Sequence, residues 1–157
     1  MRCRSTPLRI FSMICWLSGR AGRQLFAVVF ILASAGHFTP AAIASASQQG
    51  VPMPGLLVPV SGVIALAGGL SLLLGYRARL GAWLLVVFLV PVTLMMHAFW
   101  AVSDPAMFLI QLSLFVRNLM MLGAALFIAR AGAGSLSLDA LLAEPVELDC
   151  EARTVIP

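Results

Sequence analysis

The 157-residue chain is 61% hydrophobic and only 10% charged, with a formal net charge of +4. A soluble domain carries about 25% charged residues, so these few charges could not cover a water-exposed surface, and a mean hydropathy of +1.02 agrees. The positive balance is no sign of a nucleic-acid partner: all ten basic residues are arginines, most lie outside the apolar runs, and no aromatic residues interleave with them to read bases.

Residues 1–23 hold Arg2, Arg4, Arg9, Arg20 and Arg23 around the short apolar stretch "LRIFSMICWLSGR". That stretch is too short to span a bilayer. No small-residue cleavage site follows it cleanly, so a basic cytoplasmic arm is expected, with a targeting segment as the alternative. Four apolar runs then follow, Gln24–Ile43, Gly55–Tyr76, Leu80–Trp100 and Ala106–Arg130. Each approaches or exceeds the ~20 residues needed to cross ~30 Å of hydrocarbon. All are too long and too uniformly apolar for barrel strands. The expected fold is therefore all-α, a polytopic four-helix membrane bundle covering residues 24–130, with a C-terminal tail over 131–157.

The connections are short. Ser45–Gly55 is polar and Pro/Gly-punctuated, and Arg77–Arg79 is a tight basic turn. Asp104 stands as an N-cap, with Pro105 at the first helical position of the last run. Past Arg130 the tail carries five acids and a short amphipathic "SLDALLAE" segment, and its residues beyond about Leu142 are expected to be poorly ordered and dispensable for insertion. Arginine bias places both termini and the Arg77–Arg79 turn in the cytoplasm. The three cysteines, Cys3, Cys15 and Cys150, form no CxxC pair, so no built-in dithiol site is expected. No metal-ligand spacing appears either.

Polar residues within the runs are the candidates for function. Arg117 falls near the middle of the last run, where an arginine costs at least ~2.5–3.5 kcal/mol on insertion scales. It is expected to face the bundle interior, a water-filled cavity or a bound anion. Gln111 and Asn118, seven apart, share a face, and Ser113 shares one with Arg117. His37 and His97, the only histidines, end the first and third runs, and the orientation puts both toward the outer side. The expected site is a pocket in the outer half of the membrane built from His37, His97, Gln111, Arg117 and Asn118. The plainer alternative is interhelical hydrogen bonding without chemistry. Axial ligation of haem by the two histidines is disfavoured by their differing depths. Ser61, Ala65 and Gly69, widened by Gly68, form a small-residue row for close helix packing. Pro91 is expected to kink the third run.

The motifs "GHF", "AGGLSLLLGYRARLGAWLL", "HAFW", "FVRNLMMLGAALF" and "GAGSLSLD", in that order between about Arg23 and Asp139, resemble the DoxX family of four-helix bacterial inner-membrane proteins. The resemblance implies a glutamate before the glycine pair of the second helix, where this chain has Ala65. It also implies a lysine before the asparagine of the fourth, where this chain has Arg117; the cation is kept and its acidic partner is lost. It further implies a membrane redox context, as small subunits of quinol- or thiosulfate-linked oxidoreductases or of thiol-based stress complexes. The expected role is a small subunit or accessory of a quinone- or thiol-linked redox complex. No cofactor is evident in the chain itself, although a quinone would suit the pocket, and partner proteins would supply electrons. A non-catalytic scaffold is the main alternative and a small-molecule or lipid transporter the weaker one. A homo-oligomer is compatible with each of these.

Overall fold

The computed structural model describes residues 6–134 and 137–142. The expectations for the tail beyond Leu142, and the residues Cys3 and Cys150, lie outside them. Among the described residues there are only helices: α1 (Thr6–Gly36), α2 (Pro40–Gln48), α3 (Pro54–Leu74), α4 (Ala78–Met96), a 3-10 turn at Phe99–Ala101, α5 (Pro105–Ala131) and the short α6 (Leu138–Leu142). Helices α3, α4 and α5 are long and apolar enough to cross a membrane; Gly19–Gly36 and α2 qualify together as one bent span.

That bend changes the expected first span. Gln24–Ile43 is not one helix: α1 stops at Gly36 and α2 leaves at 87°. Pro40 is the cause. It lacks the N–H that would bond to the Gly36 carbonyl, and it pushes the preceding residue out of helical geometry. Thr39 is indeed extended (φ −91°, ψ 144°) and becomes the N-cap of α2, its Oγ1 accepting from Ala42 N at 3.3 Å and donating to Gly36 O at 2.8 Å. At the other end α1 begins at Thr6, so the expected arm is helical and continuous with the first span over the part described.

Helix α3 packs between α1 and α4, and α5 packs on α4. Small residues permit this. A Cβ on Gly69 would stand 2.9 Å from Ile31 Cγ1 of α1, and one on Gly68 would stand 2.7 Å from Leu85 Cδ2 of α4. Ala65 between these contacts is fully buried. The core is Ala27, Phe30, Ala65, Leu72, Ala82, Leu85, Leu89 and Ala125, drawn from all four long helices. Ser61 departs from the expected packing row: it lines a cavity instead, and Gly62 makes the close contact, since a Cβ there would lie 2.7 Å from His37 Cβ. Helix α4 runs on through Pro91.

At the end opposite the histidines the chain is tied by polar contacts. Gly75 (φ 67°) ends α3 in the left-handed region, and a Cβ there would strike Ser137. The segment after α5 folds back so that Asp139 Oδ1 accepts from Arg77 N at 2.6 Å and Oδ2 from Ala78 N at 3.2 Å, capping α4. Buried Arg23 donates through Nη1 to the Ala133 carbonyl.

Candidate functional site

The five residues expected to share one pocket occupy four separate settings. His37 follows the last residue of α1 and His97 the last residue of α4, so each terminates a helix rather than sitting inside one. Both lie at the same end of the bundle, yet they face different neighbours.

His37 lines an open-sided cavity of 460 Å³ between α2, α3 and α4, within the ~300–1,000 Å³ common for ligand sites. Its walls are Val58, Ile64, Val87, Phe88, Val92 and Met95, with Ala42, Ser45 and Ala46 of α2 on one side. The imidazole lies edge-on to Phe88 (centroids 5.4 Å apart). His37 Nδ1 is 3.1 Å from the Ala33 carbonyl. A carbonyl only accepts, so this nitrogen carries the proton, and in the neutral ring Nε2 is left as an acceptor. Two more acceptors belong to the walls. Pro91 has no N–H to close the helical bond to the Val87 carbonyl, and both residues border the cavity. Ser61 Oγ donates to the Val58 carbonyl at 2.7 Å, which leaves its lone pairs unused. The cavity is thus apolar in bulk and richer in acceptors than in donors.

His97 is not part of that cavity's lining. Its Nδ1 stands 3.0 Å from Gln111 Oε1, joining the end of α4 to α5. Beside it Phe99 packs edge-to-face on Phe108 and Phe115, at 5.7 and 5.2 Å between centroids, while Trp100 is 57% exposed. This is an interhelical latch at the aromatic rim. Asn118, one helical repeat below Gln111, is buried on the same inward face, with Ala125 a further seven residues on. On the facing helix Thr93 Oγ1 is buried without a hydrogen-bond partner among the described residues.

Arg117 does not enter the pocket. It is exposed, and among the described residues nothing accepts a hydrogen bond from it or pairs with its charge. The reason is rotational. Successive residues turn by about 100° around a helix, so Arg117 and Asn118 cannot both point inward. The inward face is set by Gln111, Asn118 and Ala125, and Arg117 falls on the outer side with Ser113.

These features bear on a comparison with known proteins. The model of the DoxX family matches residues 20–98, from the foot of the first span to the latch histidine. The chain belongs to the DoxX family. A similar curated protein is the inner membrane protein YqjF of Escherichia coli (strain K12), 28% identical over 120 residues, which are 76% of this chain and 88% of that protein. No solved structure matches. The DoxX match, the inner-membrane relative and the long apolar helices make this a multi-pass inner-membrane protein.

The cavity draws on residues that sequence reasoning passed over: Phe88, and Ser45 and Ala46 of α2. The Thr39-Pro40 dipeptide was the available signal, because a helix break there is what turns α2 across the mouth of the bundle.

Proposed function

We propose that this DoxX protein is a quinol-binding membrane subunit of a redox complex, with both termini cytoplasmic and the cavity opening from the outer half of the membrane. The observation that carries the reading is the apolar cavity ending on His37, whose Nδ1 is committed to the Ala33 carbonyl. A ligand there needs a flat or chain-like apolar body and at least one hydrogen-bond donor, to match Nε2 of His37 and the Val87 carbonyl. A hydroquinone with an isoprenoid tail has that character: its ring hydroxyls donate, and its tail leaves through the open side into lipid. Its oxidised form carries two carbonyls and no ring hydroxyl, so it matches the same walls less well. On oxidation the quinol releases two electrons and two protons. One proton passes to His37 Nε2 and the other to bulk water, while both electrons pass to a flavin or metal centre in a partner subunit.

The test is a binding titration of the purified protein in mild detergent with a short-chain benzoquinol, the matching benzoquinone and an alkane of equal length. The quinol should bind about tenfold more tightly than the quinone, the worth of roughly one hydrogen bond. His37→Phe keeps the ring packing on Phe88 and should erase that preference. Equal affinity for quinol, quinone and alkane, or a preference untouched by His37→Phe, overturns the reading.

A further inference from the structure

Arg117 lies 12 residues into α5, about 18 Å from the start of the helix, with about 21 Å of helix beyond it. It is therefore close to mid-bilayer and exposed. Long basic side chains near helix ends can reach the headgroups. From the centre of a ~30 Å hydrocarbon layer the boundary is ~15 Å away on either side, beyond the reach of one side chain. Lipid phosphates are at that boundary, so they cannot serve it without deforming the bilayer, and neither can water without a defect in the hydrocarbon. An acceptor at the arginine's own depth satisfies it without that cost.

Among the described residues no carboxylate lies at that depth. No aspartate or glutamate falls within the sequence of any candidate span. Asp104 precedes α5 and accepts from Met107 N, Asp139 caps α4, and Glu144, Glu147, Asp149 and Glu151 follow α6 in the sequence. A second copy packed through the same face would set Arg117 against Arg117. The face itself is open: α5 has 11% of its apolar window buried, against 33% for α3 and 28% for α4. Ala124, seven residues on from Arg117 and so on the same face, is small and exposed, which leaves room for a close backbone approach.

We propose that the exposed face of α5 docks a transmembrane helix of a different protein, one that carries an aspartate or glutamate at mid-bilayer depth opposite Arg117. The planar guanidinium takes a carboxylate through two parallel hydrogen bonds, which sets register as well as partner. Charge complementarity selects the occupant, and the small residue at Ala124 lets it come close. The face lies on the outer side of α5 and is independent of the His37 cavity, so this inference holds or fails apart from the quinol reading.

The full-length protein, donor-labelled and reconstituted in phosphatidylcholine vesicles, is mixed with synthetic Leu/Ala helices of about 20 residues carrying an acceptor label and a central Glu, Gln or Leu. Energy transfer should show the Glu helix associating at least about tenfold more tightly than the Leu helix, with the Gln helix between them. Arg117→Leu, which inserts readily because it removes the mid-membrane charge, should bring all three to the Leu level. Arg117→Glu should prefer a helix with a central Arg. Ala124→Leu, which obstructs the face and leaves the charge, should weaken the Glu helix severalfold. The proposal is overturned if Glu and Leu helices associate equally with the wild-type chain, or if the Glu preference survives Arg117→Leu. Energy transfer between two labelled copies of this chain that Arg117→Leu abolishes would overturn it in favour of self-association.

Discussion

Helices α3 and α5 are both apolar spans, of 21 and 27 residues, yet they are held in different ways. Helix α3 is gripped along its length, by α1 through Gly69, by the His37–Phe38 turn that follows α1 through Gly62, and by α4 through Gly68. Helix α5 rests mainly on α4 and is fastened at its two ends. At one end are the His97–Gln111 hydrogen bond and the Phe99 aromatic cluster. At the other, the segment just past α5 accepts from Arg23 and caps α4 through Asp139. In lipid there is no hydrophobic gain from pressing one apolar helix on another, so shape complementarity and hydrogen bonds decide the arrangement. The difference therefore separates a span defined by steric fit from one defined by its terminal ties, and it explains why the span with the loose outer face can carry a charge.

The sharpest way to break this contrast is to place the same side chain on both helices. Gly69→Leu would drive a branched side chain into Ile31 and the Ala27 carbonyl, and overpacking of that kind costs about 1–3 kcal/mol or more. Gly123→Leu meets open space and should stay within about 0.5 kcal/mol of the wild type. Thermal midpoints in detergent would read both, and equal losses at the two sites would mean that α5 is packed on its outer side as tightly as α3. A second measurement addresses the tie at the arginine end. Asp139→Ala removes both cap bonds to the start of α4 and should cost about 0.5–2 kcal/mol, the usual worth of an N-cap. Asp139→Asn should recover most of it, because an amide oxygen still accepts; no loss on Asp139→Ala would show that the segment after α5 is merely adjacent to the cap. The smallest effect is expected at the latch. A double-mutant cycle with His97→Ala and Gln111→Ala should give a coupling of about 0.6 kcal/mol, typical of interhelical hydrogen bonds in membranes. A coupling near zero would leave the Phe99 cluster as the fastening at that end.

Much of the architecture was legible in the sequence because hydropathy over a membrane-length window is a strong constraint: lipid admits only helices or closed barrels, and the runs here suit helices. The Asp104-Pro105 start of α5 was equally readable, and the structure has Asp104 Oδ2 accepting from Met107 N at 2.8 Å. The break at Pro40 was missed by the same window method, which averages apolar character and does not register a missing N–H. Placing Arg117 inward failed for a related reason. Burial cost says that a mid-membrane charge must be satisfied, but not from which side, and the rotation of α5 is set by its contact with α4 rather than by its own polar residues. Gln111 and Asn118, seven apart, were correctly put on one face because that follows from helical period alone. Their separation from His37 depends on which helices touch, which a single sequence does not encode in any local pattern.

The right-angle turn after Gly36 has a consequence for the bilayer itself. Between Arg23 and the turn, α1 offers 14 residues, about 20 Å of rise, whereas the 21 residues of α3 beside it cover about 32 Å. Lipid against the short side has to thin, or the chain has to tilt, to keep apolar surface matched. The shoulder where α2 departs then lies below the headgroup layer rather than level with it. A molecule that reaches the His37 cavity along this flank approaches sideways from among the acyl chains, with no aqueous step. Its concentration at the site is set by how it partitions into the membrane, and the local thickness of that membrane becomes a control on entry.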